Sequence, residues 1–134
     1  MDNEILVIVR SWMKKAENDL KNVRIILESK EEDKPYDTVC FHCQQAAEKF
    51  IKAYLTLLDL PFPNTHNIGQ LIENALVKDS AMTAFLKADA LTTYGVVIRY
   101  PDDYYMPTEK ETREAYEIAL SVQKYVRQKI AELL

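Results

Sequence analysis

The chain has 134 residues, 48% of them hydrophobic, a size and composition that suit one domain with a single core. Seventeen basic and twenty-one acidic side chains give a net charge of −4, which excludes a protein that coats nucleic acid or membranes through its overall field. No segment is apolar over the roughly 18 residues that a membrane span needs, and the first residues lack a basic signal-peptide region, so a cytoplasmic protein is expected.

Apolar residues at steps of three and four predict a long first helix over about residues 3 to 29. Its inward-facing set comprises Ile5, Val9, Trp12, Ala16, Leu20, Val23 and Leu27. After a charged loop, Pro35 can begin a second helix, which extends to about residue 59, ahead of Pro61. The repeat in that helix comprises Tyr36, Cys40, Cys43, Ala47, Phe50, Tyr54 and Leu57.

Three further helices are predicted. A short one covers about residues 66 to 78, with Asn64 or Thr65 as its N-terminal cap. The next covers about residues 80 to 98, and its apolar side comprises Leu86, Ala90, Leu91, Tyr94, Val97 and Ile98. The last extends from about residue 108 to 132 and begins with Thr108 and Glu111 at capping-box spacing. We therefore predict an all-α fold, an antiparallel up-and-down bundle of four main helices plus one short helix, in a single domain over residues 1–134.

The C-x-x-C of Cys40 and Cys43 is the first motif that suggests chemistry. On a helix, Cβ atoms three residues apart are roughly 5 to 6 Å from each other, whereas a disulfide needs about 3.5 to 4.5 Å. A structural zinc site needs four ligands, usually two such pairs, and the chain has only two cysteines and two histidines. We interpret both cysteines as small core residues and predict neither a metal nor a cofactor. The chain has only two glycines, too few for the glycine-rich loops of common nucleotide-binding enzymes.

An ordered set of motifs covers nearly the whole chain and resembles the HEPN domain family. The second helix carries the main motif, Phe41-x-x-Gln44-Gln45-Ala46-Ala47-Glu48-Lys49-x-x-Lys52-Ala53. The other motifs are Trp12-x-x-x-Ala16-x-x-Asp19-Leu20, then His66, then Arg99-Tyr100-Pro101-Asp102, and finally Thr108, Glu111, Ala115 and Ala119. The resemblance implies a four- or five-helix bundle that forms a homodimer with a shared cleft.

In many HEPN domains the cleft cleaves RNA without a metal, through an arginine followed a few residues later by a histidine. Arg99 matches the arginine, but residues 100–106 contain no histidine. Tyrosine is a weak substitute, because its ordinary pKa near 10 leaves little base at pH 7. The expected function is therefore binding of a nucleotide or RNA phosphate at Arg99. The alternatives are a metal-independent ribonuclease, with Tyr104, Asp102 or His66 handling protons, and a non-catalytic dimerisation module.

The resemblance also implies a partner protein. Many HEPN domains are encoded beside a small MNT-type nucleotidyltransferase and form a toxin–antitoxin pair with it, in which the transferase modifies a tyrosine. We therefore expect a nucleotidyltransferase partner for this chain. Tyr104 or Tyr105 is the candidate for nucleotide attachment, and packing of these rings against a neighbouring subunit is the alternative.

The candidate phosphate site includes further polar residues that the resemblance singles out. They are Asp19, Glu48, Lys49, His66 and Asp102, with Arg99 as the central residue. Paired with Arg99 or His66, the carboxylate of Asp19 or Glu48 would form a buried polar cluster that orients the arginine. The alternative is that each is an ordinary surface charge. For His66, capping or packing at the third helix is the alternative to catalysis.

Overall fold

The structure is a computed structural model that describes residues 2–95 and 105–134. In that part the chain forms helices α1 (Asn3–Glu28), α2 (Tyr36–Leu57) and α3 (Ile68–Leu76), a 3₁₀ helix η1 (Ser80–Gly95), and helix α4 (Glu109–Leu133). These elements form the predicted all-α antiparallel bundle. The predicted bounds of α1, α2 and α4 agree with the observed ones to within two residues. None of the described helices is long and apolar enough to cross a bilayer.

Helix α2 is the centre of the bundle, because it packs against α1, α3, η1 and α4. Its buried apolar residues are spread around most of its circumference, as expected of a helix enclosed by neighbours. The fully buried ones include Val39, Cys43, Phe50, Ile51 and Leu55. Three polar residues of α2, Gln44, Glu48 and Lys52, are also buried, and they need polar partners to stay there.

The interpretation of the two cysteines as core residues is confirmed. Cys40 and Cys43 are free thiols with 0% exposure. The Cys40 thiol donates to Oγ1 of Thr112 on α4 at 3.5 Å. Burial raises the pKa of both thiols, and for Cys43 the negative charge of Asp19 adds to this effect. Both sulfurs therefore stay protonated and pack as small apolar groups.

Side-chain caps are present at the starts of α1, α3 and α4. The predicted capping box of α4 is confirmed, because the Thr108 hydroxyl accepts from the Glu111 amide while the Glu111 carboxylate accepts from the Thr108 amide. The predicted cap of α3 is wrong. Asn67 caps this helix through Oδ1, which accepts from the Gln70 amide at 2.9 Å. Thr65 instead accepts from the Asn67 amide, so it shapes the turn that leads into the cap and the helix begins at Ile68.

The fourth predicted helix differs from the observed one in type. Residues Ser80–Gly95 form a 3₁₀ helix with three residues per turn, an unusually long run for this geometry. Its inward row recurs at every third position, through Met82, Phe85, Ala88, Leu91 and Tyr94. Leu86 and Ala90, which an α-helical period places inward, are exposed. Val97 and Ile98 lie outside the described residues.

Candidate functional site

A polar group lies where α2 meets the segment that precedes α3. We call it the Glu48–His66 group, and it consists of Gln44, Glu48 and Lys52 on α2 together with His66. The three α2 residues are spaced by four, so they share one side of that helix. This spacing explains how one helix can present three polar side chains to one neighbouring segment.

The carboxylate of Glu48 contacts all three other members of the group. Its side chain is 4% exposed, and Oε1 lies 2.9 Å from Nδ1 of His66. Oε1 also accepts from Nε2 of Gln44 at 3.1 Å, and Oε2 accepts from Nζ of Lys52 at 3.0 Å. The buried Lys52 charge neutralises that of Glu48, and its Nζ lies 5.5 Å from the centre of the Trp12 ring on α1. The carboxylate is therefore fixed in place by partners on both oxygens.

The end of η1 lies directly against this group. A methyl group at Gly95 would lie 3.0 Å from Cδ of Gln44, so the absence of a side chain there allows the close approach. Gln44 in turn donates to the His66 carbonyl at 3.2 Å. Among the described residues, none donates to the buried Oε1 of Gln44. Arg99 follows Gly95 by four positions in the sequence, and its structure lies outside the described residues.

A second polar group joins α1 to α2. Oδ1 of Asp19 lies 2.9 Å from Nδ1 of His42, and Oδ2 accepts from Nζ of Lys49 at 2.7 Å. His42 and Lys49 are seven residues apart, so they share a face of α2 that is rotated by roughly 100 to 140 degrees from the Glu48 face. Asp19 and Lys49 therefore form one ion pair between α1 and α2, whereas Glu48 contacts His66 on a different face of α2.

The described end of the loop before α4 carries a polar pair. The Tyr105 hydroxyl donates to Oε1 of Glu111 at 2.5 Å, and the Tyr105 side chain is 54% exposed. This hydrogen bond is the main reason that the pKa of Tyr105 is raised and that of Glu111 is lowered. Tyr94, near the end of η1, has its pKa raised to about 12 by burial and by nearby acidic side chains that include Glu111. The chain therefore leaves η1 and re-enters the described structure in the same region of the bundle.

The predicted site residues that the structure describes divide into three sets. Glu48 and His66 are in direct contact, Asp19 and Lys49 form a separate contact with each other, and Tyr105 lies on the loop side of α4. The remaining three, Arg99, Asp102 and Tyr104, lie outside the described residues.

Sequence reasoning missed His42 as a partner of Asp19. The signal was its spacing of two full turns from Lys49, which places both side chains toward α1. It also did not identify Gln44 and Lys52 as the groups that hold Glu48, although both belong to the motif in α2. In residues 2–95 and 105–134, no three histidine, cysteine or acidic side chains are grouped so as to hold a metal ion.

These observations define the class of protein as a helical bundle in which a buried carboxylate of α2 holds an exposed histidine that precedes α3. The sequence matches the HEPN domain family over residues 9–129, and the chain belongs to that family. It is similar to "Putative toxin MJ1304" of Methanocaldococcus jannaschii, with 27% identity over 92% of this chain and 86% of that protein.

Two solved structures resemble the fold. The archaeal HEPN homologue ST0689 has a TM-score of 0.69 and 29% identity, and the match covers 91% of this chain and 97% of that one. TT1696 from Thermus thermophilus has a TM-score of 0.72 and 25% identity, over 90% of this chain and 97% of the other. The similarity therefore extends across the whole bundle rather than over one helix pair.

Proposed function

We propose that this chain is a toxin-like HEPN component that binds a nucleotide or RNA phosphate at Arg99 and acts with a small nucleotidyltransferase. Family membership over residues 9–129 supports the HEPN part of the proposal. The name of the archaeal relative, a putative toxin, supports the toxin-like part. The partner rests on the resemblance of the motifs to HEPN domains that work in such pairs.

The observation that carries the proposal is the position of the Glu48–His66 group against Gly95. Gln44 of this group lies close both to the His66 carbonyl and to Gly95, four residues before Arg99, and the imidazole of His66 is exposed, which supports a site that includes both residues. Arginine and histidine are both suited to phosphate, since a guanidinium can bind it bidentately and an imidazole can donate to it or take a proton. Lys52 is not available for this role, because its ammonium group is buried and paired with Glu48. Asp19 and Lys49 are not part of the proposed site, because they are paired with each other between α1 and α2.

Equilibrium binding tests the proposal. A fluorescent single-stranded RNA with 2′-O-methyl riboses serves as a probe that cannot be cleaved, and ATP serves as the nucleotide probe. We expect Arg99→Ala to weaken binding of at least one probe by about tenfold, the equivalent of roughly 1.4 kcal/mol for a charge-assisted phosphate contact. Arg10→Ala removes an exposed arginine of α1 and serves as the matched control, with an expected change of less than about twofold. Equal affinities of Arg99→Ala and wild type would contradict the proposal.

The partner reaction is proposed for the tyrosines that follow Arg99. In this step the tyrosine oxygen attacks the α-phosphorus of ATP, the bond to the β-phosphate oxygen breaks, and pyrophosphate leaves. For Tyr105 the structure supplies a proton acceptor, because its hydroxyl already donates to the Glu111 carboxylate. Tyr104 remains the second candidate, and its structure lies outside the described residues.

Intact-mass measurement after incubation with the transferase and ATP tests this step. We expect one added adenylate on wild type and on Tyr116→Phe, and none on the variant of the modified tyrosine, Tyr104→Phe or Tyr105→Phe. If Tyr105 is the target, Glu111→Gln should slow the reaction, because glutamine can keep the capping box but is a poor proton acceptor. An adenylate that persists on both phenylalanine variants would show that neither tyrosine is the target.

A further inference from the structure

Four cationic side chains are exposed where α1 and α4 are joined by an ion pair. We call them the basic patch, and they are Lys21 and Arg24 on α1 with Lys124 and Arg127 on α4. The joining residue is Glu17, whose Oε1 accepts from Nη2 of Arg127 at 3.0 Å and from Nε at 3.2 Å. This contact holds the cations of one helix next to those of the other.

The spacing along each helix places these cations on one side of the bundle. Lys21 and Arg24 follow Glu17 by four and seven residues, so the three share a face of α1. Lys124 precedes Arg127 by three residues, and these two are neighbours on α4. Because α4 is antiparallel to α1, both lysines are displaced from the Glu17–Arg127 contact toward the same end of the bundle.

The basic patch keeps a net positive charge. Its two acids are Glu17 and Glu28, and each is paired with one of the two arginines, at 3.0 and 3.5 Å. In the part of the chain that the structure describes, neither Lys21 nor Lys124 forms an ion pair. Both ammonium groups are therefore available to an external anion.

We propose that the basic patch binds the phosphate backbone of single-stranded RNA, at a surface separate from Arg99. The net charge of −4 makes the overall field unfavourable for a polyanion, so RNA binding needs a local concentration of cations. Lysine binds phosphate as a point charge, and an exposed guanidinium binds it bidentately. The choice of RNA rests on the proposed function, and a second phosphate-binding surface makes an RNA strand, rather than a single nucleotide, the ligand.

Arg10 lies outside the basic patch, although it is on the same helix. It precedes Glu17 by seven residues, about 10 Å of helix rise. It is therefore displaced toward the C-terminal end of α4, where the helix dipole is negative. Arg10→Ala leaves the four cations of the patch in place.

Salt-dependent binding of the 2′-O-methyl RNA to the full-length protein tests the patch. The lysine double variant, Lys21→Gln with Lys124→Gln, removes two phosphate contacts. Its slope of log K against log salt should be shallower than that of wild type by about 1.4, and its affinity lower by about tenfold at low salt. The control double variant, Lys87→Gln with Lys110→Gln, makes the same change in net charge outside the patch and should keep the wild-type slope. All four lysines are exposed, so neither variant alters the core.

Glu17→Gln provides a test of the opposite sign. It removes the carboxylate that holds Arg127 and frees the guanidinium for phosphate. We expect RNA affinity to rise by about threefold and the slope to steepen by up to about 0.7. Glu73→Gln removes an exposed acid of α3 and is the matched control, with no expected change in slope. An unchanged or lower affinity of Glu17→Gln would contradict the contact of Arg127 with RNA.

The remaining outcomes separate this inference from the proposed function. A wild-type slope of the lysine double variant overturns the inference, and if Arg99→Ala still weakens binding, the proposed phosphate site stands. An equal loss in both double variants overturns it as well, because net charge alone would explain the loss. Poly-glutamate binding that the lysine double variant loses, with RNA binding unchanged, would assign the patch to an acidic protein and overturn the RNA proposal. Wild type that binds ATP but not RNA overturns the inference and leaves the nucleotide form of the proposed function, whereas binding of neither overturns the proposed function itself.

Discussion

Asp79 joins three parts of the bundle through one carboxylate. Oδ2 accepts from the hydroxyl of Tyr54 on α2 at 2.6 Å and from that of Tyr125 on α4 at 2.5 Å, while Oδ1 accepts from the Ala81 amide at the start of η1 at 3.0 Å. Burial and the Asp79 hydrogen bond raise the pKa of Tyr125 to about 12, so its hydroxyl remains a donor at neutral pH. Tyr54, Asp79 and Tyr125 are far apart in the sequence and follow no common helical spacing. The hydrophobic periodicity of the sequence therefore does not identify this cluster.

The Asp79 contacts predict a pH-dependent stability. Burial acts to raise the pKa of Asp79, but hydrogen bonds from Tyr125 and Tyr54 outweigh it, and the pKa lies below its ordinary value. Such a carboxyl stabilises the fold fully above the unfolded-state pKa of about 3.9, and this contribution is lost as pH falls through the lower folded-state pKa. We expect Tyr125→Phe to lower the free energy of unfolding at pH 7 by about 1.5 kcal/mol, and by less at pH 3, in urea denaturation.

Tyr116→Phe is the control for this prediction, since it removes a hydroxyl of the same helix outside the Asp79 cluster. It should change the free energy of unfolding by less than about 0.5 kcal/mol. An equal loss for Tyr125→Phe at both pH values would show that the Tyr125 hydroxyl does not act through the ionised Asp79.

The candidate site shows what a sequence can reveal at the residue scale. Glu48 and His66 were both identified as candidates, because the family resemblance singles them out. Their contact was only one of several pairings open at that point. Choosing among them requires the path of the chain between α2 and α3, which brings a residue 18 positions away next to Glu48.

At the scale of elements, the helices with a strong period of 3.6 were predicted well. For α1, α2 and α4, apolar rows and end signals such as Pro35 and the Thr108 capping box coincide. The predicted type of the fourth helix was wrong, because the sequence analysis assigned its apolar residues with the α-helical period of 3.6. A period of three fits Met82, Phe85 and Ala88 equally well in the sequence, and packing of η1 against α2 and α3 selects it. Such tertiary selection is not visible in local propensity.

The end of α2 carries a strained residue that a single substitution can relieve. Asp59 has φ of 57°, in the left-handed region, and the Leu60 amide donates to the Leu55 carbonyl while the Asp59 amide donates to that of Thr56. This is a Schellman motif with aspartate where glycine is usual. We expect Asp59→Gly to raise the free energy of unfolding by about 0.5 to 1 kcal/mol in urea denaturation, because glycine adopts this conformation without a Cβ clash.

Two further variants separate backbone strain from charge. Asp59→Asn should lie within about 0.5 kcal/mol of wild type, because asparagine tolerates the left-handed region nearly as well. Asp59→Ala should be less stable than wild type by about 0.5 to 1 kcal/mol. A free energy of unfolding that is higher for Asp59→Ala than for Asp59→Gly would contradict the strain at this position.

At the scale of the whole molecule, the chain is a HEPN bundle in which α2 supplies both the core and the polar site. The family was predictable from sequence because its motifs extend in order from α1 to α4, and residues 9–129 match it. The function is less well defined by the sequence, because residues 100–106 lack the histidine of the arginine–histidine signature. In the structure His66, which precedes α3, contacts Glu48 of α2.

We propose that the chain works as a homodimer, as the family resemblance implies. A shared cleft would bring the Arg99 residues of two copies together, so each phosphate site would be completed by the second subunit. Light scattering of the purified protein should give about twice the chain mass of 15.6 kDa at micromolar concentration. A mass equal to one chain, with RNA bound, would contradict the shared cleft.

The salt dependence of RNA binding tests the central claim, that Arg99 contacts a phosphate, most directly. For single-stranded nucleic acid, the slope of log K against log salt concentration is about −0.7 for each phosphate neutralised. With the 2′-O-methyl RNA, Arg99→Ala should therefore have a slope shallower than that of wild type by about 0.7, whereas Arg10→Ala should match wild type. Identical slopes for wild type and Arg99→Ala would contradict the claim, because they would mean that Arg99 neutralises no phosphate.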